Sequence, residues 1–233
     1  MTRDTAPLDR LAWALADEPA TNEVAWRACQ VVRELLQADG AVLTVETATP
    51  QRTALCATDR RADALDNLQD VLGEGPGMDA FDSGRPIRTG LDRSAAARWQ
   101  HFIPAAAGVI GSDGLLWSIP MCFAGQTIGV ITLYRVLPAP DGEPLADAQF
   151  LADLAASSLA RDPSAYRSVT EPGCEDCWSS RAVVHQATGM LVSQLHVTTD
   201  QALAQLRGHA YVTGRHLREV AGDVVARRLD LAA

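Results

Sequence analysis

No lysine occurs among the 233 residues: all 20 basic side chains are arginine, set against 29 carboxylates for a net charge of −9. No run of eighteen apolar residues appears, so no segment reads as a membrane-crossing helix. The first ten residues, MTRDTAPLDR, lack the apolar core of a secretory signal, and the expected location is the cytoplasm. Missing too are a compact His and carboxylate cluster suited to a metal, a nucleophile elbow and a phosphate-cradling glycine motif. The glycines at 73, 75 and 77 are badly spaced for a cradle and read as a turn. Asp79 and Asp82 share a helix stripe but have no partner base. These absences argue against an enzyme, and no cofactor is expected with certainty.

Hydrophobic residues make up 47% of the chain, ample for one large domain or two modest ones. Charge is unevenly divided. Residues 178–233 hold six arginines against four acids, net +2, and residues 1–177 carry −11. That change of sign is the pattern expected if only the C-terminal part meets phosphates.

The C-terminal part is the most regular. Val184, Ala187, Leu191 and Leu195 recur at helical spacing. Thr198 or Thr199 stands where an N-cap hydroxyl belongs, before the apolar face of Ala202, Leu203, Leu206 and Ala210. Gly214 breaks the pattern, and Leu217, Val220, Ala221, Val224 and Val225 restart it. Three helices this short must pack on one another, because none is stable alone in water.

With Arg181, Val184, Gln186-Ala187-Thr188-Gly189, Ala202, Leu206-Arg207, Ala210, Arg215, Leu217 and Val220-Ala221 in order, residues 178–233 resemble the ANTAR domain, an RNA-binding output module of bacterial transcription antiterminators. The family usually carries Lys between the Ala and the Gly, where this chain has Thr188. The resemblance implies binding to paired small hairpins in a nascent leader transcript, held so that an overlapping terminator cannot form. Two hairpins imply two such modules, hence a homodimer, and an upstream signalling protein is a further expected partner. RNA of this kind is read through splayed loop bases that stack on side chains. The candidate RNA residues are Arg181, His185, Gln186, Thr188, Gly189, Arg207, His209, Tyr211, Arg215, His216 and Arg218. Gly189 inside a helix costs about 1 kcal/mol against Ala. Close approach of another helix, or of an RNA backbone, would account for it.

Residues 1–19 read as an N-terminal segment and 20–161 as an α+β domain. Helical spacing runs from Leu8 to Asp39, interrupted at Pro19. Two strands follow, around AVLTVET and Arg52 to Ala57, then an irregular helical middle with candidate helices at Asp59 to Leu72 and Gly77 to Asp82. Leu115 to Met121 and TIGVITLYRV form a hairpin about Ala124-Gly125-Gln126, and a helix from Pro144 to Ala160 closes the unit. The order predicts an antiparallel sheet with helices mainly on one face. LGEGPGMDAFDSGRPIRTG, Arg98-Trp99 and SIPMCFAGQTIGVITLY resemble a GAF sensor domain. That resemblance implies an unidentified small molecule bound between sheet and helices, with Trp99, Phe102, Trp117, Met121 and Phe123 as candidate lining residues that also fit a plain core.

Residues 162–177, rich in turn formers, read as a linker in which Pro163 and Pro172 exclude a continuous helix. Its Cys174 and Cys177 form one C-x-x-C, half of a structural zinc set. Free thiols are the favoured reading; zinc completed by His185 or by a second subunit, and a redox pair, stay open. Cys29, Cys56 and Cys122 fall in apolar patterns and read as core. Two rival functions remain: a ligand-responsive protein whose tail docks another protein through Val183, Met190 and Val197, and an enzyme acting on a bound nucleotide.

Overall fold

The computed structural model describes residues 21–46, 52–136, 144–161 and 176–231. The chain divides into two compact units, one within residues 1–69 and 74–169 and the other within 70–73 and 170–233.

The first unit is built on a five-stranded antiparallel sheet: β1 (Gly40–Glu46), β2 (Arg52–Ala57), β3 (Ile87–Gly90), β4 (Leu115–Phe123) and β5 (Gln126–Arg135), in spatial order β2-β1-β5-β4-β3. Its helices are α1 (Thr21–Leu35), α2 (Arg60–Leu72), α3 (Pro76–Ser83), α4 (Arg93–Arg98), α5 (Phe102–Ile110) and α6 (Leu145–Arg161). Strands β4 and β5 meet through Ala124 and Gly125, both at positive φ, the geometry of a two-residue hairpin turn that matches strand twist.

Alternation along the strands decides what each helix covers. Leu115, Trp117, Ile119 and Met121 of β4, with Ile131 and Leu133 of β5 and Ala41, Leu43 and Val45 of β1, form one core with α1 and α6. From α6 come Ala148, Leu151, Ala152, Ala155, Ala156 and Leu159, one stripe at steps of three and four. Its four alanines keep the helix close to the sheet. Its two leucines each contribute about 1.5–3 kcal/mol by leaving water.

The opposite face carries Thr44, Ser118 and Thr132, all buried, and α3 packs over β4 and β5 there. A Cβ on Gly77 of α3 would stand 3.1 Å from Thr132 Oγ1. Helices therefore lie on both faces of the sheet, where the sequence predicts them mainly on one. Strand β3 was not anticipated, because IRTG holds a single large apolar residue. The helical periodicity ahead of Thr21 lies outside the described residues.

Polar groups fasten α2 to the sheet. Asp59 accepts from the backbone N–H groups of Arg61 and Ala62 at 2.8 and 3.1 Å, capping α2, and from the Tyr134 hydroxyl at 3.0 Å. Burial, reinforced by that carboxylate, pushes the Tyr134 hydroxyl up to about 12. Farther along α2, Asp66 accepts from Arg52 at 2.8 Å and from the Thr44 hydroxyl at 3.1 Å; the Arg52 and Asp66 side chains are 6% and 5% exposed. Removing one member of such a buried pair leaves an uncompensated charge. Asp66→Ala is therefore expected to lower unfolding stability in urea by about 3–5 kcal/mol, and the double change Arg52→Met with Asp66→Leu to recover most of it.

Candidate nucleic-acid interface

The second unit consists of α7 (Asp176–Leu195), α8 (Thr199–Thr213) and α9 (Leu217–Val225). Each helix gives three residues to a shared core: Val184, Ala187 and Leu191; Ala202, Leu206 and Ala210; Val220, Ala221 and Val224. An alanine in every triplet lets the helix backbones approach. Their ends are tightly closed. Thr198 accepts from the Gln201 N–H at 3.2 Å while the Gln201 side chain accepts from the Thr198 N–H at 3.0 Å, a capping box. Gly214 takes the left-handed conformation (φ 63), and Arg215 N–H donates back to the Ala210 carbonyl at 3.0 Å.

Inward faces so defined leave the others exposed. On α7 these include Gln186 and Gly189, and a Cβ added at Gly189 meets nothing within 4 Å among the described residues. No neighbouring helix accounts for that glycine. Gly208, in the middle of α8 and equally open, was not singled out in the sequence, although its position inside a helical run carries the same signal. Around it lie Arg207 and His209, both half-buried, and Tyr211, 51% exposed, followed by Val212 at 84%. His216 occupies the N-cap position of α9, and Arg218 in its first turn is exposed, with no ion pair among the described residues.

Two candidates behave differently. Thr188 is 5% exposed, and its hydroxyl donates to the Val184 carbonyl at 2.7 Å, so it belongs to the buried stripe rather than to an RNA-facing one. Its step of four from Val184 decides this; the step of three from His185, on which the expectation rested, is equally regular. Arg215 is already engaged: it donates to Asp223 at 2.7 Å and lies 3.6 Å from Glu219. Arg228 donates to the same Asp223 at 2.8 Å. Hydrogen bonds from Arg215 first and Arg228 second hold the Asp223 carboxyl below its ordinary range. The side chains of Arg181, His185 and Cys177, and the whole of Cys174 with its linker, lie outside those described, so the C-x-x-C readings find no geometry.

The five candidate pocket residues do not line one cavity. Trp117 and Met121 point into the core beneath α1 and α6, because odd positions of β4 face that way. Phe123, at the hairpin end, is 40% exposed. Trp99 and Phe102 are buried beside α4 and α5; the Trp99 indole donates to Asp79 at 3.1 Å under the Arg98 guanidinium, and Phe102 N–H donates to Glu74 at 2.8 Å. Those bonds give Asp79 and Glu74 structural work. Under α3, Gln69 Oε1 accepts from Gly77 N–H at 2.6 Å and the amide fills the space beside Gly75 and Gly77. Among the described residues no group of three His, Cys, Asp or Glu has the placement to hold a metal ion, and no helix is long and apolar enough to cross a membrane.

Comparison with known proteins follows this division. The GAF domain family matches residues 20–160, more than half of the chain, and the ANTAR domain family matches residues 178–225. No curated protein matches the sequence. Among solved structures, the GAF domain of an Acinetobacter phosphoenolpyruvate-protein phosphotransferase is similar at 10% identity, with 73% of this chain and 99% of that one covered and a TM-score of 0.51. Similarity extends to the GAF domain of A. aeolicus nlh2 in an inactive state, at 13% identity, 67% and 96% coverage and TM-score 0.49. A domain of a putative two-component sensor histidine kinase from Sinorhizobium meliloti 1021 follows at 17% identity, 66% and 100% coverage and TM-score 0.49. At 10% identity the likeness to the Acinetobacter domain speaks for the fold alone, a five-stranded antiparallel sheet flanked by helices. With a GAF domain in its first unit and an ANTAR domain in its second, the chain belongs to the GAF–ANTAR regulators.

Proposed function

We propose that this protein binds hairpin loops in a nascent leader RNA and thereby prevents transcription termination, with the GAF unit as its sensory or dimerisation module. It works in the cytoplasm as a homodimer answering to a ligand or an upstream signalling protein, and it acts by binding rather than by turnover. The observation that carries this reading is Gly189: an exposed glycine in a helix interior, with open space where a side chain would stand and, among the described residues, no packing neighbour to require it. An RNA backbone lying against α7 at that point supplies the missing reason. Gln186 is exposed one turn before it, Tyr211 offers a face for an unpaired base, and Arg218 offers an unneutralised cation. Signal transmission is then a population shift between states that present these faces differently.

Val212 favours the rival in which the tail docks a protein, since an apolar side chain so exposed suits a protein surface. Val183, Met190 and Val197 do not add to it, each being partly buried. The full chain should prefer a dual-hairpin leader over scrambled RNA at moderate salt, and its affinity should fall steeply as salt rises. Equal binding to both RNAs, with and without candidate ligands, would count against the RNA reading.

Gly189→Ala separates stability from recognition. Filling open space in a helix with a methyl group should stabilise the second unit by roughly 0.5–1 kcal/mol, seen as a higher urea midpoint. RNA affinity should fall about tenfold or more, equivalent to about 1.4 kcal/mol. Unchanged affinity would remove the role assigned to Gly189.

Asp223→Asn tests the electrostatics in the opposite direction. With the carboxylate gone, Arg215 and Arg228 become available to phosphates, so affinity should rise and the salt dependence steepen by about one to two counterions. Thr188→Val, by contrast, should leave RNA affinity within about twofold, because the hydroxyl it removes already serves the helix backbone, a bond worth about 1 kcal/mol.

A further inference from the structure

Cys29 and Cys56 take no part in the reading above, and their geometry is unusual. Cys29 sits on the buried stripe of α1 and is fully enclosed; Cys56 sits on β2 and is partly exposed. They are 27 residues apart in sequence, yet their Sγ atoms are 3.2 Å apart. A disulfide places the two sulfurs at about 2.05 Å, so closure asks for an approach of roughly 1 Å. The strand that must move lies at an edge of the sheet. Among the described residues β2 is an edge strand paired only with β1, and the pairing slips between Leu43 and Thr44, directly where Leu43 faces Cys56.

We propose that Cys29 and Cys56 are an oxidisable dithiol that closes to a disulfide under a hydroperoxide, tying α1 to the edge of the sheet. Cys56 reacts first, because it is the one the oxidant reaches. Its thiolate attacks a peroxide oxygen, the O–O bond breaks, and the departing hydroxide takes up a proton, leaving Cys56 as a sulfenic acid. The Cys29 sulfur then attacks the Cys56 sulfur; the S–S bond forms, the S–O bond breaks, and water leaves with the Cys29 proton. Overall, two thiols and one hydrogen peroxide give one disulfide and two waters. Burial, and then the hydrogen bond with Cys56, push the Cys29 thiol well up, which argues against it as the initial nucleophile. Cys122, the remaining described cysteine, has the Thr127 hydroxyl and no sulfur beside it.

The absence of lysine makes the test direct, since trypsin cuts this chain only after arginine. Cys29 falls in the peptide 28–33, Cys56 in 53–60, Cys122 in 99–135 and the C-x-x-C in 168–181. The full chain is exposed to increasing hydrogen peroxide, alkylated under denaturing conditions and digested without reductant. Expected is a peptide pair joining 28–33 to 53–60, two hydrogens lighter than the separate peptides, that grows with peroxide and disappears with reductant. Cys29→Ser should abolish the pair and leave Cys56 over-oxidised to the sulfinic acid, while Cys122→Ser should leave the pair unchanged. Recovery of 28–33 in alkylated form after peroxide, or its linkage to 168–181 instead, would overturn the proposal. Because the wild-type chain alone decides the point, a variant that fails to fold does not obscure it.

Discussion

Strands β4 and β5 are covered on both faces, and that double burial constrains everything else in the first unit. One face must match two apolar helices, so Trp117, Ile119, Met121, Ile131 and Leu133 are large and close-packed against α1 and α6. The other face must match α3, and here the strands carry hydroxyls, with Ser118 and Thr132 side chains 3.3 Å apart. A hydroxyl row buried under a helix needs polar company. Ser118 and Thr132 give it to each other, while Gln69 Oε1 accepts from the Gly77 N–H at 2.6 Å and its amide fills the space that a Cβ at Gly75 or Gly77 would take. The face toward α1 and α6 is filled by large apolar side chains, and the opposite face sets Ser118 and Thr132 among the buried Leu116, Val130 and Tyr134. A ligand expected among Trp117 and Met121 would have to displace the core itself.

In the second unit the constraint is shortness. Helices of 9 to 20 residues gain little from their own backbone bonds, so each must commit a full stripe to the common core. Alanine in each stripe brings the backbones together, and the capping box at Thr198 and the left-handed Gly214 hold the two turns. Once the inward positions are spent, what remains outward is free of packing duty. Gly189 and Gly208 stand out for that reason: among the described residues a Cβ at either would meet nothing within 4 Å, so packing within the unit does not call for a glycine there.

Much of this was legible in the sequence, for identifiable reasons. Helical spacing placed α7, α8 and α9, and the Thr198 and Gly214 signals placed their boundaries, because caps are local chemistry. The β4–β5 hairpin was legible from two long apolar runs about Ala124-Gly125. What escaped depended on more than local pattern. Strand β3 spans four residues and is defined by its pairing to β4, from Ile87 with Ser118 to Gly90 with Leu115, partners well separated in sequence. The second helical layer escaped because Ser118 and Thr132 look like solvent-facing positions until Gln69 and Gly77 are placed over them. Thr188 escaped because a helix advances about 100° per residue, and a residue one step from two stripes can be counted with either.

Charge shows most clearly how structure revises a sequence count. The module's excess of +2 treats every arginine alike, yet Asp223 holds two of them, and Glu219 stands beside one of the two. Their guanidinium donors already point at carboxylates, and to engage a phosphate they must first give up a bond made at 2.7 Å. Arg218 has no such debt among the described residues. The field an approaching polyanion meets is therefore set by where the unpaired arginines sit, not by the sum over the domain. Asp223 also fixes the position of Arg215, so that arginine is ordered before any ligand arrives and would lose little side-chain entropy on transfer to a phosphate. The ion-paired cluster of Arg215, Glu219, Asp223 and Arg228 along α9 and the exposed Arg218, which has no ion pair among the described residues, are thus two parts of one arrangement, in which the acids decide which positive charge is left for a partner.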